Sequence, residues 1–127
     1  MSATTFRTGI VGDAAFIQYA AQQGWEIYKG FAGHEPCDYI VDTGDKTLKV
    51  EVKRLESVQK SDRNYYYCCL TKFDSKKFDY MYVSTPNGDY WIPAEECPKN
   101  TLSIKQVGDE YDRNISAPGK YEVYRVS

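Results

Sequence analysis

The sequence predicts a single α/β domain with one layer set around one sheet. Three observations carry this prediction. A helical apolar period opens the chain, two strand-like runs flank a Gly44-Asp45 turn signal, and further short runs rich in tyrosine and valine follow between turn residues. At 127 residues and 14.6 kDa the chain can bury one core and is short for two.

From Ile10 to about Gln23 the residues Ile10, Ala14, Ile17 and Ala21 recur at the spacing of one helix face, and Gly24 stops the helix. Trp25 to Tyr28 is a short strand candidate. A Gly-rich connection from Gly30 ends at Pro36. Cys37 to Thr43 and Lys46 to Arg54 then read as a hairpin about Gly44-Asp45. With that turn, paired positions sum to 89: Thr43 faces Lys46, Val41 faces Leu48, Tyr39 faces Val50 and Asp38 faces Glu51. One face becomes Tyr39, Val41, Leu48, Val50 and Val52, and the other Asp38, Asp42, Lys49, Glu51 and Lys53. A one-residue slip would mix them, so pattern and turn agree on the register. After a polar loop from Glu56 to Asn64, strands are expected at Tyr65 to Thr71, Phe78 to Ser84 and Asp89 to Ile92. A turn or short helix falls near Asp74 to Lys77, and Pro86-Asn87-Gly88 forms the turn between the last two strands. Leu102 to Lys105 and the alternating run Tyr121 to Val126 are the remaining strand candidates.

Composition narrows the function classes. A net charge of -2 and a pI near 5.4 argue against a protein that coats nucleic acid. Between Lys46 and Lys77, however, nine basic residues stand against four acidic ones, a local net charge of +5 that suits either a solvated face or a phosphate-contacting one. No stretch approaches the roughly 18 apolar residues of a membrane span and the amino terminus has no signal-like run, so a cytoplasmic protein is expected, in its own cell or in a host's. Cys37, Cys68, Cys69 and Cys97 lack zinc-like pairing and are expected to be free, packed thiols.

Directly opposed residues of an antiparallel pair have side-chain origins about 4.5 to 5.5 Å apart, close enough for two carboxylates to hold one divalent ion. Asp38 and Glu51 meet that condition. Without an ion, such a pair repels and one pKa rises. Lys53 adds a cation on the same face, roughly 6.5 to 7 Å along the strand. Carboxylate-held Mg²⁺ suits phosphodiester hydrolysis, because it lowers the pKa of a bound water, acts as a Lewis acid and orients the phosphate. Alternating charges also occur on strands only to keep an edge soluble.

The runs Gly12-Asp13-Ala14, Gly24-Trp25-Glu26-Ile27-Tyr28, Pro36-Cys37-Asp38-Tyr39-Ile40-Val41 and Val50-Glu51-Val52-Lys53 resemble the PD-(D/E)XK nuclease superfamily over roughly residues 9 to 54. Lys72-Phe73-Asp74, Phe78-Asp79-Tyr80 and Asp89-Tyr90-Trp91-Ile92-Pro93 resemble the sheet continuation of its small members, among them some homing endonucleases and the archaeal-type Holliday junction resolvases. The resemblance implies one domain over residues 1–127 with a restriction-endonuclease-like core, a mixed central β-sheet flanked by α-helices. It implies Mg²⁺-dependent DNA cleavage, with Mn²⁺ able to substitute, and Asp38, Glu51 and Lys53 as the catalytic set. Metal contacts are expected from Asp38, Glu51 and Asp13. Many relatives carry a Glu where Asp13 stands, and Asp13 alternatively serves as an acid at the helix amino end. The proline of the family name sits one residue early, at Pro36.

Arg54, Lys60 and Arg63 are the candidate DNA-phosphate contacts. His34 lies in the Gly-rich loop without a partner of obvious spacing. Tyr65, Tyr66 and Tyr67 either stack on bases or pack half-buried on a strand. A homing or phage-type endonuclease is the leading reading. A junction-selective resolvase and a non-cleaving nucleic-acid-binding protein on the same fold are the alternatives. A domain with a single active site needs a homodimer or higher homo-oligomer to cut both strands of DNA.

Overall fold

Register in the sheet starts at the Gly44-Asp45 turn. Gly44 has φ +94°, a conformation glycine tolerates without strain. Its N–H donates to Asp42 Oδ1 at 2.8 Å, and the Thr43 N–H donates to the Lys46 carbonyl at 2.9 Å. The strands on either side then pair as the sequence predicts, Tyr39 with Val50 and Val41 with Leu48. The computed structural model describes residues 3–29, 38–56, 65–69, 77–99, 101–105 and 120–127.

The described elements are α1 (Ala3–Gln22), β1 (Glu26–Lys29), β2 (Tyr39–Asp42), β3 (Thr47–Arg54), β4 (Tyr65–Cys69), β5 (Tyr80–Thr85), β6 (Gly88–Pro93) and β7 (Thr101–Lys105). Five strands form a mixed sheet in the order β1-β2-β3-β5-β6. All neighbours are antiparallel except β3 and β5, which run parallel. Asp79 fixes that junction. It donates its own N–H to the Lys49 carbonyl and accepts the Lys49 N–H on Oδ2, both at 2.8 Å. Glu51 is thereby set beside Met81, and Lys53 beside Val83.

Side chains on neighbouring paired positions share a face, so each face of the sheet has its own core. On one, Tyr39, Val41, Leu48, Val50 and Tyr82 pack with Phe16 and Ala20 of α1. Phe16 is fully buried, its ring 5.2 Å from Tyr39, 5.5 Å from Tyr82 and 6.3 Å from Trp91. Gly12 lets the helix sit this low: a Cβ there would lie 3.1 Å from the Arg54 Cβ and 3.6 Å from a Val52 methyl. On the other face Leu55, Phe78, Met81, Val83, Tyr90 and Ile92 form a second core. A separate two-stranded sheet of β4 and β7 contributes Leu102 and Ile104 to it. The α/β fold with a mixed sheet and a packed helix is therefore present, and the second face is covered, among the described residues, by a β-ribbon.

Two expectations are corrected. The helix starts at Ala3 rather than Ile10 and buries Gly12, Phe16 and Ala20, leaving Ile10, Ala14, Ile17 and Ala21 exposed. The aromatic side chains explain the choice, because Phe16 and Tyr19 fill the space over Tyr82 and Trp91, which small Ala14 and Ala21 could not. The run Tyr121 to Val126 is not a strand. Glu122–Tyr124 is a 3-10 turn, and Arg125 alone bridges to Tyr90, its guanidinium held by Glu122, the Asn87 carbonyl and the Tyr90 hydroxyl. The expected turn near Asp74 and the strand ends at Leu70 and Thr71 lie outside the described residues.

This packing separates the two helix faces energetically. Phe16→Ala is expected to lower the unfolding free energy by about 3–5 kcal/mol, whereas Ile17→Ala on the exposed face is expected to change it by no more than about 0.5 kcal/mol; urea denaturation measures both.

Candidate active site

Asp38 comes to Glu51 in a specific way. The β2–β3 ladder ends at Tyr39 and Val50, and Asp38 then bonds to both neighbours of Glu51. Its N–H donates to the Val50 carbonyl at 3.0 Å, and its Oδ2 accepts the Val52 N–H at 2.9 Å. These two bonds bracket Glu51 and hold the carboxylates side by side. The backbone N–H of Val52, otherwise unpaired on this side of β3, is satisfied by a carboxylate instead of a carbonyl.

Glu51 is only 8% exposed. Its strand position beside Met81 directs it toward the second core rather than to open solvent. Burial pushes its carboxyl up to about 8, and the neighbouring Asp38 charge and a hydrogen bond with Asp38 add to the rise; Lys53 opposes it by a smaller amount. Near neutral pH Glu51 therefore keeps its proton and shares it with Asp38. The sequence expectation that one of two facing carboxylates would titrate high is met by this arrangement.

Asp13 reaches the same end of the sheet from α1. Burial raises its pKa, the charge of Asp38 adds to the rise, and Lys29 and a hydrogen bond with Tyr39 lower it. Asp13 lies well inside a helix that begins at Ala3, so its alternative reading as a first-turn acid is excluded. Among the described residues no group of three or more His, Cys, Asp and Glu side chains converges to hold an ion. Asp38 and Glu51 are the paired carboxyl groups, and Asp13 stands beside them, engaged with Tyr39.

Over the chain as a whole, no protein-family model matches, and a search of curated proteins finds no match. Solved structures do match. A bacterial homing endonuclease, I-Ssp6803I, is similar over 97% of this chain and 87% of its own, with a TM-score of 0.74 and 17% identity. Hjc of Archaeoglobus fulgidus, a Holliday junction resolvase from an archaeal hyperthermophile, is similar over 77% of this chain and 84% of its own, with a TM-score of 0.53 and 17% identity.

The chain has the fold of these two structures, a mixed five-stranded sheet with a packed helix. Within that fold the sequence-predicted residues fall unevenly. Lys53 lies two positions beyond Glu51 on β3, partly exposed, on the same face. Arg54, one residue on, points to the opposite face. Its Nη1 donates to Ser84 Oγ at 2.9 Å and its Nε lies 3.3 Å from Glu56 Oε1, so its guanidinium is committed to protein partners. Ser84 in turn donates to Asp89, which also accepts the Tyr82 hydroxyl. His34, Lys60, Arg63, Pro36 and Cys37 lie outside the described residues. So do the side chains of Tyr65, Cys68 and Cys69, while Tyr66 and Tyr67 are half-buried on β4 and Cys97 is a free, half-buried thiol. No described helix is long and apolar enough to cross a membrane.

Sequence reading passed over Asp79, Tyr39 and Lys29 as parts of this site. Asp79 acts through the parallel register, which only tertiary pairing reveals. Lys29 is legible only once β1 is known to pair with β2, which sets it against Tyr39.

The raised Glu51 carboxyl makes stability depend on pH. The unfolded chain ionises Glu51 near 4.5 and the folded chain near about 8. Below the lower value both states are protonated and nothing is lost. As pH rises between the two values the folded state binds the extra proton, so stability falls progressively, and the full loss is present above the upper one. Glu51→Gln, which keeps a donor toward Asp38 without a charge, is expected to melt higher than wild type in chelator at pH 8 and to lose that advantage near pH 4.5, as read by thermal denaturation.

Proposed function

We propose that this chain is a DNA endonuclease that hydrolyses phosphodiester bonds with Mg²⁺, with Mn²⁺ able to substitute, and that Asp38, Glu51 and Lys53 carry the reaction. The supporting observation is the bracketing of buried Glu51 by Asp38, which leaves two carboxylates sharing one proton beside a lysine. Such a pair is relieved either by a proton or by a cation. Mg²⁺ fits this donor set, since it takes one or two carboxylates and keeps several waters for exchange with phosphate oxygens. Bound there, it would acidify a water and polarise the scissile phosphate.

The remaining roles belong to the chain itself. Asp38 and Glu51 would hold the ion, and the two backbone bonds of Asp38 keep their geometry in place ahead of ligand binding. Lys53 orients the attacking water and stabilises negative charge developing on the phosphate. Asp13, at the same end of the sheet, would supply a further contact to the ion or to one of its waters. Lys60 and Arg63, in the basic middle third, contact DNA phosphates; Arg54 is left out because its guanidinium is taken up by Ser84 and Glu56. Two copies of the chain serve the two strands of a duplex.

Supercoiled plasmid incubated with Mg²⁺ tests the reading. Wild type is expected to nick or linearise it, with chelator abolishing the activity, and Lys53→Ala is expected to slow cleavage by about 10²-fold or more. Absence of cleavage on every DNA offered, together with no Mg²⁺ binding by calorimetry, would establish the non-cleaving alternative; unchanged cleavage by Lys53→Ala would remove the assigned lysine role. The likeness to a Holliday junction resolvase gives the assay a second arm, in which preference for a four-way junction over linear duplex identifies a junction-selective enzyme.

A further inference from the structure

Pairing of β1 with β2 sets Lys29 against Tyr39, the residue next to Asp38. Cross-strand partners share a face, and Ile27, two residues earlier on β1, packs with Val41, Tyr39 and Phe16 under α1. Lys29 therefore stands on the α1 side of the sheet, and its charge acts on Asp13 there. Lys53 stands on the other side. It alternates with Val52, which packs toward α1, and shares its face with buried Glu51. The paired carboxyl groups thus have one lysine on each face of the sheet.

Lys29 is exposed at the last position of its strand. Among the described residues no hydrogen bond or ion pair ties down its ammonium, whereas the Arg54 guanidinium is held by Ser84 and Glu56. A lysine on an edge strand such as β1 often serves only to discourage pairing with other chains. The charge of the site gives this one a further task. Asp13, Asp38 and Glu51 are three acids at one end of the sheet. With all three ionised around Mg²⁺, Lys53 alone brings the sum only to zero, and Lys29 turns it to +1, the sign that attracts a phosphodiester.

Distance decides which phosphate. β1 and β3 lie on either side of β2, so Lys29 starts two strand spacings, roughly 9.5 Å, from the strand that carries Glu51 and Lys53. A phosphate held at Glu51 belongs to Lys53. The phosphate next to it along the DNA strand falls to Lys29, whose compact charge on a flexible four-carbon stem needs no fork geometry to bind it.

We propose that Lys29 holds the DNA phosphate adjoining the scissile one, gripping the strand from the α1 side of the sheet while Lys53 acts from the other. The inference rests on the endonuclease reading and adds to it a substrate-binding residue whose loss is felt in binding rather than in the chemical step.

Fluorescence anisotropy of a labelled duplex titrated at several salt concentrations, with Ca²⁺ in place of Mg²⁺, is the first measurement. Lys29→Gln is expected to reduce the slope of log affinity against log salt by about 0.9, the worth of one phosphate contact. Lys46→Gln, the same charge change in the turn at the far end of β2 and β3, is expected to leave the slope alone. The loss in Lys29→Gln is expected to persist in an Asp13→Asn background, where a lysine that merely offset Asp13 would have no further effect. In Mg²⁺, Lys29→Gln is expected to raise KM about 5- to 10-fold with kcat within about twofold of wild type, unlike Lys53→Ala. An unchanged slope in Lys29→Gln while wild type binds and cleaves, an equal loss in Lys46→Gln, or a loss that disappears in Asp13→Asn would overturn the proposal and leave the endonuclease reading standing. A wild type that binds no DNA would overturn both.

Discussion

The organisation of this protein depends on one backbone constraint, the pair of hydrogen bonds by which Asp38 straddles Glu51. A carboxylate that accepts a strand N–H has a fixed position, and the strand that supplies the N–H carries the second carboxylate at the adjacent residue. The Asp38 side chain cannot swing away without giving up its bond to the Val52 N–H. Two carboxyl groups are held together by bonds that serve the sheet. Burial against the second core then keeps a proton on Glu51, so the folded state stores an electrostatic tension that a cation can relieve.

The rest of the fold positions that pair. Asp79 locks β5 parallel to β3 and so sets Met81 next to Glu51. Gly12 allows α1 to lie low across β3, which brings Asp13 to the same end of the sheet. Arg54, Ser84, Asp89 and Tyr82 form a hydrogen-bonded chain under the helix just beyond Lys53, tying the end of β3 to β5 and β6. Stability is given up at Glu51, whose buried carboxyl is held beside Asp38.

Much of this was legible in the sequence, for physical reasons. The Gly44-Asp45 turn and the period-two pattern around it determine each other, so the register and the approach of Asp38 to Glu51 follow from the residues alone. The parallel pairing of β3 with β5 does not, since it rests on Asp79 meeting Lys49 across thirty residues. Arg54 looked like a phosphate contact because it follows Lys53, but strand alternation turns it to the opposite face and Ser84 captures it. The helical period is legible in the sequence, but it does not give the buried face of α1. Ile10 and Ile17 gave the stronger apolar period, and the aromatic pocket formed by Tyr39, Tyr82 and Trp91 selected Phe16 instead.

The central claim is that Asp38 and Glu51 are held as a proton-sharing pair that a divalent ion can take over. Carbon-13 NMR of the labelled Glu51 carboxyl, followed against pH with and without Mg²⁺, tests it most directly. The account predicts a metal-free midpoint far above the ordinary carboxylate range, near about 8, that drops when Mg²⁺ is added and stays unchanged by it in Asp38→Asn. A Glu51 that titrates like a solvated glutamate, or one that ignores Mg²⁺ in the wild type, would contradict it.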